Sequence, residues 1–398
     1  MKRASSASVT GVGGIVGGAP QRIAMVDALR GWALLGLFLV HVVEGFELYW
    51  LDMRPDPWFD AVFWLFQGKA FSIFALLFGF GFATIMVNAR RRGESFTARF
   101  VWRLVLLFGF GTLHALLYRG DILQVLAAVG VVMIFVDRIR SSRALLLLAL
   151  VLFAQVLLLG RAWLAARGVA GALGPAGFMG DTGLGVLATG SLGEGLAVNA
   201  TAGMAGKWSF YLETGRVFQI AGLFAIGVWL QRTRLFAEAN ERRGFWVITA
   251  LAGALGWWLL TLAEGWFPAP QGSPPIVAQS LDWAFGQWQA LAATALQVAL
   301  FVLAWHAGGA ALLRWLEAPG RMTLTWYIGQ SVIAVPLLYG FGADLWPRYS
   351  IATFVWAALA LFAVQIALSL WWYRHFRYGP LEWVWRAGTR WRMVPKAA

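Results

Sequence analysis

The chain has 398 residues, 60% hydrophobic and only 13% charged, with 24 Trp, 29 Phe and no Cys. Soluble domains run near half apolar and a quarter charged, so this balance excludes a water-soluble fold. The missing cysteines exclude disulfides, thiolate nucleophiles and Cys-based metal sites. The net charge of +13 would suggest nucleic acid in a soluble protein. Here the basic residues lie between apolar segments and act as topology signals, so no nucleic-acid partner is expected.

Residues 1–21 open with Lys2-Arg3 but continue Gly- and Ser-rich, too weakly apolar for a signal peptide. A disordered cytoplasmic tail is expected. About 20 apolar residues cross a bilayer, and ten stretches qualify: 26–46, 70–88, 100–118, 121–137, 143–163, 211–231, 244–263, 282–306, 322–342 and 350–373. The runs are continuous rather than alternating, which selects helices over a barrel. The predicted fold is therefore all-α: a polytopic bundle of about ten spanning helices. The segment 58–67 is too short to span and is expected to lie at the interface or re-enter.

Most of the 32 Lys and Arg fall on one side of this map, led by Arg90-Arg91-Arg92 and the run from Arg232 to Arg243. The other side holds Arg54, Lys69, Arg119, Arg161, Arg167, Lys207 and Arg348. The positive-inside rule then places both termini in the cytoplasm. Residues 22–163 form an N-terminal membrane half and 211–373 a C-terminal one. Between them, 164–210 carries twelve glycines from Gly168 to Gly206. It reads as a flexible outer loop, with a lid over an outward-facing site as the alternative. Residues 374–398 read as a cytoplasmic interfacial tail, with Pro380 starting a helix and Glu382 and Arg386 pairing at i, i+4. Leu-Leu-Phe-Gly-Phe-Gly occurs at 76–81 and again at 106–111. Lying inside apolar helices with no strand before it, it signals close helix packing rather than nucleotide binding.

Ionisable residues within spans are functional candidates by default. On the first helix Asp27, Arg30, Leu34, Leu37, His41 and Glu44 share one face. Arg30 and His41 are separated by about 16 Å along the axis. Asp27 and Arg30 can simply pair at the interface, and an isolated His usually makes a structural hydrogen bond. Glu44, one turn after His41, suggests a base with its orienting carboxylate. His114 and Asp121 fall near the outer ends of the third and fourth helices, and Lys69 begins the second, also outside. Glu213 and Arg216 are expected to pair. His306 and His375 lie on the cytoplasmic side and receive no chemical role. No close-spaced His and carboxylate set suggests a metal.

Five stretches carry a family resemblance: RIAMVDALRGWALLGLFLVH at 22–41, GKAFSIFALLFGFGFA at 68–83, HALLYRGDIL at 114–123, GRMTLTWYIGQS at 320–331 and FRYGPLEWVWR at 376–386. Together they resemble the YeiB-like bacterial membrane proteins, also called domain of unknown function 418. That family is distantly similar to membrane acyltransferases of the heparan-glucosaminide acetyltransferase type and of the acyltransferase-three superfamily. Their first helix carries Arg, ten residues, then His, a spacing this chain shows as Arg30 and His41. His41 and Trp326 depart from the Asn expected at both positions in YeiB-like proteins.

The resemblance implies acyl transfer from a cytoplasmic acyl-CoA-type donor to an envelope glycan or lipid-linked acceptor outside. It places Arg30 at the donor and His41 at the transfer centre. Asp27, Arg30 and Lys69 are the donor-binding candidates; His41, Glu44, His114 and Asp121 are the catalytic ones. A transporter or flippase of a lipid-linked or small anionic solute would use the same charges for binding or proton coupling. A non-catalytic scaffold would use them for assembly.

Overall fold

The computed structural model describes residues 22–93 and 96–390. The tail expected at 1–21 lies outside them, as do 391–398 of the C-terminal tail. Among the described residues there are helices and no strand. α1 (Ala24–Val43) leads through a tight turn, Gly45–Leu51, into α2 (Pro57–Phe66) and α3 (Lys69–Arg91). Then come α4 (Thr97–Leu117), α5 (Leu123–Gly130), α6 (Met133–Arg138), α7 (Ser142–Phe153) and α8 (Val156–Ala166). Short helices follow: α9 (Ala170–Leu173), α10 (Leu184–Thr189), α11 (Leu192–Val198) and α12 (Met204–Glu213). The second half contains α13 (Arg216–Arg232), α14 (Arg243–Trp266), α15 (Pro275–Ala304), α16 (Ala310–Leu313), α17 (Glu317–Gly320), α18 (Thr323–Leu338), α19 (Ile351–Trp372) and α20 (Pro380–Arg390).

Local chemistry sets several starts. The Asp56 side chain accepts from Trp58 N and Phe59 N ahead of Pro57. Ser141 and Ser350 cap α7 and α19 in the same way, each satisfying an otherwise orphaned N–H.

Seven helical stretches are long and apolar enough to cross a bilayer: Ala24–Leu51, Pro57–Arg91, Thr97–Leu117, Ser142–Ala166, Arg243–Trp266, Pro275–Gly320 and Ile351–His375. The other three expected spans are shorter. Residues 121–137 divide into α5 and α6, 211–231 becomes the 17-residue α13, and 322–342 becomes the 16-residue α18. Phe135 on α6 and Val332 on α18 are 61% and 54% exposed, whereas α13 is buried within the bundle, where protein rather than lipid surrounds the backbone and a full-length apolar helix is not required. Lipid instead faces helices such as α14, whose Ile248 and Leu251 are 67% and 66% exposed. Exposure of that kind is stable only in an apolar solvent. The expected short segment 58–67 is α2, joined to α3 through Gly68 at φ +76.

Glycines bring helix backbones together. A Cβ at Gly320 would overlap the Asp27 carbonyl oxygen and lie 2.8 Å from Gly31 N, so α1 and α17 cross in direct backbone contact. In the Leu-Phe-Gly echo, Gly79 lies against the Phe224 backbone, and a Cβ at Gly111 would sit 2.6 Å from Gln124 N. Those two positions follow the packing reading of the motif. Gly109 has open space around it.

Two expected side-chain pairs form differently. Glu213 pairs with Arg161 (2.7 Å) and accepts from Gly177 N, while Arg216 lies between the rings of Phe71 and Phe210, at 4.9 and 4.8 Å. In α20, Glu382 reaches into the bundle rather than along its helix. Its carboxylate accepts from Leu324 N (2.7 Å), Thr325 N (3.1 Å) and Thr325 Oγ1 (2.6 Å), capping α18. Arg386 sits over Tyr378. An acceptor at the open N–H end of a buried helix outcompetes an exposed i, i+4 pair.

The segment 164–210 folds into short helices instead of forming a flexible connector. Long-range bonds order it. Arg119 donates to Asn199 Oδ1 (3.1 Å) and Thr182 O (2.8 Å), and Gly340 N donates to Leu187 O (3.2 Å). Local glycine content carries no information about such tethers.

Candidate functional site

α1, α4 and α18 bring two histidines against the same pair of tyrosines. The His41 ring centroid lies 4.9 Å from Tyr118 and 6.1 Å from Tyr327. The His114 centroid lies 5.9 and 5.2 Å from the same two rings. His114 is 4% exposed and Asp121 is fully buried. His114 Nδ1 stands 2.7 Å from Asp121 Oδ1. Asp121 Oδ2 accepts from Gln124 N (3.0 Å), at the start of α5. An ionised Asp121 fixes the tautomer with the proton on Nδ1. His114 Nε2 is then a lone-pair acceptor with no hydrogen-bond partner among the described residues.

The sequence suggested Glu44 as the carboxylate orienting His41. Among the described residues no hydrogen bond joins them, and the imidazole held by a carboxylate is His114. Glu44 ends α1. The chain then turns through Gly45, Phe46 and Glu47, all with positive φ (+53°, +48° and +95°). Two of these are non-glycine residues in a strained region that persists only where its surroundings hold it. Tyr339 supplies part of that hold by donating to Phe46 O (3.0 Å).

The turn carries Glu47 to Arg119, with 3.9 Å between Oε2 and Nε, and Glu47 is 24% exposed at its side chain. It marks where the polar cluster reaches the protein surface. Arg119 is itself 5% exposed at its side chain, and its Nη2 has no hydrogen-bond partner among the described residues. Gly120 is required here, because a Cβ would overlap the Tyr118 hydroxyl and lie 2.8 Å from Glu47 Oε1.

From the 164–210 segment, Lys207 enters the cluster. Its Nζ hydrogen-bonds Gln124 Oε1, and Gln124 Nε2 donates to Thr112 Oγ1 (2.7 Å). A polar chain thus runs Lys207, Gln124, Asp121, His114. Burial pulls the Lys207 ammonium down to about 8, against the opposing pull of Asp121 and Glu47. Tyr327 accepts from Ile122 N at its hydroxyl (3.1 Å), which leaves the hydroxyl proton free to be donated. Sequence reasoning missed Tyr118, Tyr327, Glu47 and Lys207 as site members. Glu47 and Lys207 were visible only as charges near predicted span ends, and Tyr118 and Tyr327 only as members of the resemblance stretches at 114–123 and 320–331.

The donor candidates lie elsewhere. Arg30 pairs with Asp27 at 2.6 Å and is 29% exposed at its side chain. Gly81 leaves room for it, since a Cβ there would lie 3.4 Å from Arg30 Nη2. Lys69 does not join them. Its Nζ caps the end of α2, donating to Trp64 O (2.6 Å) and Phe63 O (3.4 Å). It is twelve residues along α3 from Gly81, about 18 Å at a helical rise.

The fold and the buried polar cluster define a polytopic helical membrane protein with an ionisable site inside the bundle. Residues 230–392 match the family profile described as "Protein of unknown function (DUF418)". The chain is 26% identical to "Uncharacterized protein YxaH" of Bacillus subtilis (strain 168), over 94% of this chain and 96% of that one. It is 28% identical to "Uncharacterized protein YeiB" of Escherichia coli (strain K12), over 93% and 96%. A 39.9 kDa protein encoded in the amylase 3' region of Bacillus acidopullulyticus is 27% identical, over 94% and 96%. No solved structure matches significantly. These matches make the chain similar to the DUF418 proteins, in line with the resemblance carried by the five sequence stretches.

Proposed function

We propose that this protein is a membrane acyltransferase, moving an acyl group from a cytoplasmic acyl-CoA-type donor to a hydroxyl or amine of an envelope glycan or lipid-linked acceptor. The observation that carries the reading is the buried His114–Asp121 pair at 2.7 Å with Nε2 unpartnered. That arrangement is an imidazole base with its orienting carboxylate. His114 Nε2 takes the proton of the acceptor hydroxyl as its oxygen attacks the thioester carbonyl. The C–S bond then breaks and the thiol leaves with that proton. The Tyr327 hydroxyl and the Lys207 ammonium are the donors for the developing oxyanion. His41, against the same two tyrosines, is the second base or the transient acyl carrier. Arg30, held by Asp27, meets a donor phosphate at the other end of α1.

The test is purified protein in liposomes with radiolabelled acyl-CoA inside. Acyl transfer or thioester hydrolysis is expected from the wild type, and about a hundredfold less or lower still from His114→Ala and Asp121→Asn. Absence of turnover with every donor tried refutes the reading. The buried Lys207 to Asp121 chain favours one alternative, a transporter or flippase for an anionic solute. Solute counterflow abolished by Asp121→Asn or Lys207→Met would support it.

A further inference from the structure

The helix ends far from the His114 site enclose a cavity of about 580 Å³ lined by Met86, Ala89, Arg90, Phe96, Thr97, Asp137, Arg138, Arg140 and Arg232. A second cavity of about 220 Å³ shares Met86, Thr97, Asp137 and Arg138 with it and adds Phe82, Phe100 and Ile134. Phe82 and Phe100 are 3% and 4% exposed. The mouth is cationic, and the second cavity adds an apolar wall of Phe82, Phe100 and Ile134.

The lining arginines divide into two roles. Asp137 is shared by Arg90 and Arg232, and Arg232 also donates to the Asp137 and Ile139 carbonyls. Those two build the frame. Arg138 and Arg140 have no carboxylate within ion-pair distance among the described residues, and Arg138 lies 5.8 Å over Phe135. Four guanidinium groups against Asp137 leave the mouth strongly positive. The flanking segment adds Arg91, Arg92 and Arg99 against Glu94 in the sequence. The 21-residue α4 opens at the same mouth, and its N-cap Phe96 offers no side-chain acceptor. Its first N–H groups and its dipole add to the pull on an anion.

We infer that this cleft binds a phosphate-bearing amphiphile, its phosphate held by Arg138 and Arg140 at the mouth and its acyl chain lodged along Phe82, Met86, Phe100 and Ile134. Forked guanidinium groups match phosphate oxygens, and the apolar wall rewards a chain that inorganic phosphate lacks. The chemistry fits two sources, an anionic phospholipid or a long-chain acyl-CoA. The acyl-CoA source rests on the acyl-transfer reading, whereas the phospholipid source does not.

Binding, rather than turnover, separates this inference from that reading. Full-length protein in neutral detergent is titrated with phosphatidylglycerol in one arm and palmitoyl-CoA in the other. Wild type, Arg138→Gln/Arg140→Gln and Met86→Trp are compared, with Arg143→Gln as a control outside the cleft. At least one probe should saturate the wild type. The double variant should weaken it by about tenfold or more, the scale of a lost charge-assisted bond. Met86→Trp should weaken the same probe, and Arg143→Gln should leave it unchanged. Phosphatidylglycerol alone identifies a lipid site, and palmitoyl-CoA alone identifies an acyl-CoA site. If neither probe saturates, or if the double variant binds as tightly as wild type, the inference is overturned. Should the double variant fail to fold, salt titration of the wild type decides. Binding that is indifferent to salt would refute a phosphate held by exposed arginines.

Discussion

Removing the Glu382 carboxylate tests how the C-terminal helix is fastened. It accepts three hydrogen bonds, from Leu324 N, Thr325 N and Thr325 Oγ1, and Thr325 Oγ1 in turn accepts from Leu381 N (3.1 Å). Glu382→Ala leaves two N–H groups of α18 without a cap, worth about 0.5–2 kcal/mol, and opens a gap between α18 and α20. Together these give a destabilisation of about 3 kcal/mol. Glu382→Gln keeps a carbonyl oxygen facing the two N–H groups and should cost within about 1 kcal/mol.

The pH dependence has a definite sign. Burial is the larger influence and raises the Glu382 carboxyl above 4.5, while its hydrogen bonds with Thr325 and Leu324 draw it back. Between 4.5 and the raised value the folded protein binds more protons at this site than the unfolded chain. Its favourable contribution is therefore full below 4.5 and is lost as pH rises through that interval. The assay is equilibrium unfolding of the detergent-solubilised protein, followed by tryptophan fluorescence. The stability difference between wild type and Glu382→Gln should shrink as pH rises. If it widens, or if Gln costs as much as Ala, charge rather than acceptor geometry holds the contact and the reasoning fails.

Other outcomes follow from the same structure. Gly320→Ala places a methyl on the Asp27 carbonyl and should destabilise by about 3 kcal/mol or more, read as a lowered unfolding midpoint; an unchanged midpoint would mean that α1 and α17 do not cross there. Lys207 has a depressed value of about 8 against an ordinary 10.5, so its unfavourable burial is full below pH 8 and is relieved up to 10.5. Wild type should gain about 3 kcal/mol relative to Lys207→Met across that window; a flat difference would place the ammonium in water. For topology, single cysteines at Arg91 and Gly185, both exposed, should react with an impermeant thiol reagent from opposite sides. Labelling from one side would overturn the orientation drawn from the arginine distribution.

The sequence by itself determined the solvent and the class of structure. Continuous apolar runs with arginine clusters between them leave helices in lipid as the physical solution, because the bilayer core offers no partner for an unpaired backbone group. It also pointed to His41, His114 and Asp121, since charge within an apolar run is visible without knowing the fold. Only the tertiary structure decided which of these residues meet. Glu44 is one turn from His41, yet the carboxylate that holds an imidazole is Asp121, brought to His114 by the turn between α4 and α5. Lys207 reaches the same cluster across 83 residues of sequence separation, from a glycine-rich segment whose order comes from Arg119 and Gly340. Helical periodicity registers neighbours three and four residues apart. Hydrogen bonds between distant segments, such as Glu382 to Thr325 and Arg119 to Asn199, leave no periodic trace.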